Sequence, residues 1–264
     1  MHRRCAIIIF MLQTLAEKKG AFYPGLDLDD AMDLAREILQ PAGFDIVTYD
    51  FSPVPLTHDG QFILPTVLSM RGTPGDMEHL WCANGYYSRD PVMDAARQVT
   101  RPFAWSHHGR QSLVMRNILG DRHRPVVEYL LDSGMRSGIT VPVRGPGGAL
   151  ATFSAIRIGN ADDADLEEHL STVGHLGYVL HDAVRAGFSG DDLRTSHVRF
   201  TPRERQCMML CAQGLTTKQI AHEIDRSIPT VTLHLTSAAN KLGARNRAHA
   251  LALAAHYRLL EPDA

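Results

Sequence analysis

Between Thr201 and Gly243 the chain sets three helix starts and their stops in close order, and few folds accept that punctuation. Thr201-Pro202-Arg203-Glu204 spells a capping box with proline at the first helical position, where its missing N–H costs little. The helix it opens carries Met208, Leu210 and Cys211 and stops at Gly214. Thr216 to Gln219 spells a second capping box, starting a short helix that turns Ile220, Ala221 and Ile224 inward. After the turn Asp225-Arg226-Ser227, Ser227 caps a third helix with Pro229 in its first turn. There Val231, Leu235, Ala238 and Leu242 form one apolar stripe, and Gly243 ends the helix. Two short helices joined by a tight turn, the second polar on its outer face, make a helix-turn-helix pattern. The outward residues are Thr230, Thr232, His234, Thr236, Ser237, Asn240 and Lys241. Such side chains can bond phosphates and base edges, and a Thr methyl can touch the thymine methyl. A plain helical bundle with polar faces fits the same pattern, so on pattern alone both readings stand.

Charge agrees with the first. The whole chain of 264 residues has a net charge of −2, but residues 200–264 hold eight Lys/Arg against five Asp/Glu. A small basic module on a larger acidic one points to nucleic acid. The length suggests roughly two domains at about 100–200 residues each. No stretch approaches the ~18 apolar residues of a membrane span. "MHRRCAIIIFML" is a charged start and an apolar run, but "QTLAEKKG" continues it with helix formers. We therefore expect an amphipathic helix or an upstream extension there, not a signal peptide. Cys5, Cys82, Cys207 and Cys211 are too few and scattered for a disulfide framework, which fits a cytoplasmic protein.

Ahead of the module the signals mix. "LDLDDAMDLAREILQPAGF" has helical spacing and stops at Pro41-Ala42-Gly43, and "FDIVTYDF" alternates as a strand does. "DPVMDAARQVT" reads as a short helix capped by Asp90 with Pro91 first. Two β-rich runs around Gly145-Pro146-Gly147-Gly148 read as a hairpin, and "ADDADLEEHLSTVGHLGYVLHDAVRA" as a long helix with acidic first turns. The expected class is α+β. The expected division is an N-terminal extension at 1–26, a domain at 27–185, a linker at 186–199 and a helical domain at 200–264.

The run from Phe200 through "KLGARNRAHALALA" closely resembles the DNA-binding domain of the LuxR-type transcription regulators. The matching residues include Glu204, Gly214, Thr216, Ile220, Ser227, Thr230, Val231, His234, Lys241, Gly243 and Arg247. The resemblance implies a four-helix helix-turn-helix domain that binds promoter DNA. It puts base-reading side chains at Thr232, Leu233 and Thr236, with Thr216, Thr230, His234 and Lys241 also on the DNA side. The last helix, from Arg247 to Leu259, resembles the family's dimerising helix. That implies a homodimer on an inverted repeat, acting with RNA polymerase.

Such modules follow either a phosphoacceptor domain or a ligand-binding one. Asp29-Asp30 has no apolar strand before it, and no lysine lies between Lys19 and Lys218, so the chain lacks the phosphoacceptor's parts. Residues 27–185 instead resemble the LuxR family's autoinducer-binding domain, an α-β-α sandwich with an antiparallel sheet. Asp90-Pro91, Trp105 and Ser137-Gly138-Ile139-Thr140 keep the family's spacing. By that resemblance the ligand contacts are Met77, Trp81, Tyr86, Asp90, Trp105 and Ser154. Asp90 would accept from a ligand N–H, the two Trp would form walls, and the Ser154 hydroxyl would reach a ligand carbonyl. Without the resemblance Met77 or Trp105 is simply core, and Asp90 simply a helix cap.

Met77 stands where the family usually has a Trp that donates to the lactone carbonyl, and Met has no donor. Leaving that carbonyl unpaired costs about 1–3 kcal/mol. The Met/Trp pair with "WCANGYYSRDPV" resembles a subgroup of unpaired LuxR regulators from plant-associated bacteria, thought to answer plant-derived compounds. The expected ligand is therefore a plant-derived or other non-standard small molecule. The alternatives are an N-acyl homoserine lactone receptor, or a ligand-independent regulator whose first domain only dimerises. His107-His108 lacks metal partners, Cys207 and Cys211 share one helix face, and no nucleophile elbow, phosphate loop or carboxylate pair appears. No enzyme, cofactor or metal site is expected.

Overall fold

The computed structural model describes residues 19–107, 113–159, 166–195 and 197–260. The helix expected near the N-terminus and His108 lie outside them. The chain divides into two compact units, residues 1–52 with 67–189 and residues 53–66 with 190–264. Among the described residues no helix is long and apolar enough to cross a membrane.

The first unit is built on a five-stranded antiparallel sheet in the order β2-β1-β5-β4-β3. Its strands are β1 (Ile46–Ser52), β2 (Val67–Arg71), β3 (Phe103–Ser106), β4 (Met135–Arg144) and β5 (Leu150–Ile158). Its helices are α1 (Leu28–Leu39), α2 (Met77–Cys82), α3 (Pro91–Gln98), α4 (Leu113–Arg116), α5 (Arg124–Asp132) and α6 (Leu166–Arg185). Asp27 caps α1, which ends in the turn that Gly43 closes at φ 80°. That is a left-handed conformation suited to glycine.

Alternation gives the sheet two different faces. On one, Val47, Tyr49, Val141, Phe153 and Ala155 are fully buried under α1 and α6. Helix α6 approaches closely because Gly177 meets Val141, where an added Cβ would sit 3.0 Å away. The Tyr49 hydroxyl meets His181 Nδ1 at 2.9 Å on that side. The other face is polar, with Thr48 and Asp50 on β1, Thr140 on β4, and Thr152 and Ser154 on β5. Register sets these side by side, Thr48 opposite Ser154 and Asp50 opposite Thr152. A polar face inside a domain needs an occupant or partners.

The second unit is helical: α7 (Pro202–Ala212), α8 (Thr217–Glu223), α9 (Ile228–Lys241) and α10 (Arg247–His256). Both capping boxes are formed, Thr201 with Glu204 and Thr216 with Gln219, and Ser227 caps α9. One core gathers Met208, Ala238, Leu242, Leu253 and Tyr257, and a second gathers Cys207, Cys211, Ile220 and Val231. The loop between β1 and β2 belongs to this unit. Its Val54 and Ile63 enter the first core, its Leu56 carbonyl meets His256 Nε2 at 2.9 Å, and His58 Nδ1 meets the Tyr257 hydroxyl at 3.2 Å.

Candidate ligand pocket and nucleic-acid interface

The polar sheet face closes a cavity of about 40 Å³ against α2, α3 and α5. From β1 and β2 come Thr48, Asp50, Leu68 and Met70; from β3 and β5 come Trp105, Thr152, Ser154 and Ile156. The helices and their turns add Met77, Trp81, Tyr87, Asp90, Val92, Met93 and Leu130. Of the six residues named from the sequence, Met77, Trp81, Asp90, Trp105 and Ser154 meet here. Tyr86 is not on the wall. It stands behind Trp81, ring centroids 5.5 Å apart, while the next residue, Tyr87, turns inward through the 3-10 turn Tyr87–Arg89.

Each indole on this wall already has an acceptor. Trp81 Nε1–H donates to Asp90 Oδ2 at 3.1 Å, and Trp105 Nε1–H donates to Thr140 Oγ1 at 2.9 Å. Thr140 Oγ1 in turn lies 2.8 Å from Ser154 Oγ, so the hydroxyl pair keeps one hydrogen beyond their mutual bond. Gly138 makes room for Trp105. An added Cβ would sit 2.7 Å from its ring and 2.6 Å from the Ala155 carbonyl.

Two carboxylates face the cavity. Asp90 is both helix cap and wall, since Oδ1 accepts from the Val92 N–H at 2.8 Å while Oδ2 takes the Trp81 indole. Burial pushes its carboxyl up to about 6, against the pull of those two donors. Asp50, which sequence reasoning did not single out, is more perturbed. Burial pushes it up to about 7, although Thr152 and Tyr87 hydroxyls donate to it, and the nearby Asp90 adds to the rise. Tyr87 Oη reaches Asp50 Oδ1 at 2.9 Å. An alternating Asp in a strand reads as solvent-facing, which is why "FDIVTYDF" hid it. The start of α3 is pinned from behind by buried Asp94, which takes bonds from Arg122 and from His123 at 2.9 Å.

His107 lies beside this wall. It is 9% exposed, stacks on Trp105 at 5.1 Å, and burial pushes its imidazole down to about 4. Among the described residues no group of three or more His, Cys, Asp or Glu could hold a metal.

In the second unit α8, the turn and α9 present a polar surface. Thr232, Leu233 and Thr236 are exposed along α9, Leu233 at 67%. An apolar side chain held that far into solvent suits a partner with apolar groups, such as thymine methyls. The other named residues are engaged locally. Thr216 caps α8, Thr230 Oγ1 bonds Ser227 Oγ at 2.8 Å, and His234 is half-buried. Lys241 Nζ donates to buried Glu204 at 2.7 Å. Burial opposes the charged form of Glu204, but Lys241, Ser237 and the Thr201 N–H hold its carboxyl down at about 2. Arg247 braces the opposite corner, donating to Cys211 Sγ, Thr217 Oγ1 and the Leu215 carbonyl.

Comparison with known proteins identifies both units. Residues 27–184 match the family model described as the autoinducer binding domain. Residues 198–254 match that of bacterial regulatory proteins of the luxR family. The transcriptional activator protein BjaR1 of Bradyrhizobium diazoefficiens is 28% identical over 240 residues, 88% of this chain and 90% of that protein. RaiR of Rhizobium etli, also named a transcriptional activator, is 32% identical over 161 residues, 60% of this chain and 62% of that protein. Among solved structures, Escherichia coli SdiA covers 89% of this chain and 93% of its own at a TM-score of 0.52 and 18% identity. A second SdiA structure, in complex with octanoyl-rac-glycerol, gives a TM-score of 0.56 at 20% identity, covering 89% of this chain and 91% of its own. At those identities the likeness is one of fold.

Proposed function

Because the chain belongs to the luxR family of bacterial regulators, with an autoinducer-binding domain before its DNA-binding one, we propose that it senses a non-standard small molecule. The protein is a transcription regulator and not an enzyme, as its family and named relatives are. In our reading the signal is plant-derived, fills the cavity at Asp90, and sets how a dimer binds an inverted-repeat promoter site.

The observation that carries the ligand reading is the lack of a spare indole donor. Met77 occupies the wall with a thioether, Trp81 gives its N–H to Asp90, and Trp105 gives its N–H to Thr140. A lactone carbonyl would find no indole donor: it would have to break one of these bonds, go unpaired at about 1–3 kcal/mol, or rely on the single hydrogen left on the Thr140–Ser154 hydroxyl pair. The cavity's size points the same way. About 40 Å³ holds roughly three water-sized occupants, and a long acyl chain would have to move the wall.

On the DNA side, Thr232, Leu233 and Thr236 read bases in this account, while Thr216, Thr230, His234 and Lys241 set the helices or the phosphate backbone. The test is thermal melting of the full chain with fractions of plant macerate. A ligand at about 100 times its dissociation constant adds about 2.7 kcal/mol. Stabilisation by a homoserine lactone with none by any macerate fraction would sink the proposal.

A further inference from the structure

The cavity wall carries two acids and, among the described residues, no base. Asp50 enters from β1 and Asp90 from the start of α3; the remaining wall is apolar, aromatic or hydroxylic, with no Lys, Arg or His. Both acids are buried, at 5% and 8% exposure. Their partners are all neutral: the Tyr87 and Thr152 hydroxyls for Asp50, the Val92 N–H and the Trp81 indole for Asp90. Outside the wall, His123 is engaged with Asp94 and His107 packs against Trp105, its imidazole held neutral by burial. Two like charges sharing an enclosed, largely apolar space disfavour one another, and neutral donors only partly offset their lost hydration. A single cation between them relieves both costs.

We propose that the signal is a small cationic amine, its ammonium held by Asp50 together with Asp90. This rests on the reading of the cavity as the ligand site and narrows its chemistry. Asp90 alone suits any N–H donor, neutral amides included. Asp50 is what asks for charge, because its two lone-pair partners leave the carboxylate without a counter-ion. An ammonium supplies three donors and no acceptor, which matches a wall of acceptors. The hydrogen left over on the Thr140–Ser154 pair then serves a ligand oxygen. Metal does not fit as the cation, since no group of three or more ligating side chains gathers among the described residues. The cavity's volume restricts the amine to a few heavy atoms beyond the charged group.

The test is melting of the full chain at neutral pH with n-butylammonium chloride, its neutral isostere 1-butanol, and N-butanoyl homoserine lactone, at matched concentrations. Butylammonium should raise the melting temperature and the neutral probes should not. The near-isosteric Asp50→Asn change, whose single amide oxygen keeps one of the two hydroxyl donors while the other hydroxyl must turn to accept from the amide N–H, should weaken the amine roughly 10- to 150-fold. The amine-against-alcohol comparison needs no variant, so it stands even if Asp50→Asn folds poorly. Equal or greater stabilisation by a neutral probe, no stabilisation by butylammonium, or undiminished binding by Asp50→Asn would overturn the proposal. A parallel arm passes plant macerate over a sulfonate cation exchanger. Stabilising material should be in the retained fraction. Finding it only in the flow-through overturns the amine but keeps the ligand reading, whereas finding it in neither overturns the ligand reading itself.

Discussion

Asp50 and Asp90 pull in two directions, holding a site open for chemistry while weakening the fold that carries it. Their carboxyls stand at about 7 and about 6, above the ordinary value of 3.8, because burial disfavours charge. The native state therefore keeps protons that the unfolded chain has released, so stability is full below about pH 4 and is lost as pH rises towards 7. Buried His107, whose imidazole is pushed down to about 4, works in the opposite sense over this range, so the acids' share shows as a difference. From pH 5 to pH 7.5 the melting point of the ligand-free chain should fall by more, or rise by less, than that of Asp50→Asn. The same pH slope in both proteins would contradict the burial of Asp50. Gly138 is the other decisive residue. A methyl there runs into Trp105 and the Ala155 carbonyl, so Gly138→Ala should cost about 1–3 kcal/mol in chemical denaturation.

At the scale of elements, the recognition helix α9 is held by chemistry at one end and left free along its middle. Glu204 on α7 ties to Ser237 and Lys241 on α9. Glu204→Ala should therefore lower the unfolding free energy of the helical unit by about 1–3 kcal/mol in chemical denaturation, since it strands Lys241 and the Thr201 N–H. Thr232→Ala with Thr236→Ala should leave melting unchanged and abolish promoter binding in a gel-shift titration; unaltered operator affinity would remove them from the base-reading set. This unit was legible because its helices announce themselves in local chemistry, in Thr201, Thr216, Ser227, Gly214 and Gly243. The sheet was half legible. β1, β4 and β5 alternate clearly, but β2 is a five-residue edge strand whose only recommendation is its pairing with β1. The pocket followed the same rule. The family resemblance led to Asp90 and Trp105, whereas Asp50, Thr152 and the choice of Tyr87 over Tyr86 depend on register and on a 3-10 turn, neither of which has a local signature.

For the molecule as a whole, the β1–β2 connection packs with the helical unit although the strands at both its ends lie in the sheet of the first. It leaves β1 two residues after Asp50, lends Val54 and Ile63 to the core beneath α10, and returns to β2 next to Leu68. The proposal that the cavity is tuned away from the lactone is met most directly by transcription itself. A reporter driven by the operator this chain binds is given N-acyl homoserine lactones in one series and plant macerate in another. We expect a dose-dependent change with macerate and none with lactones at nanomolar concentration. A strong nanomolar response to a lactone alone would contradict it.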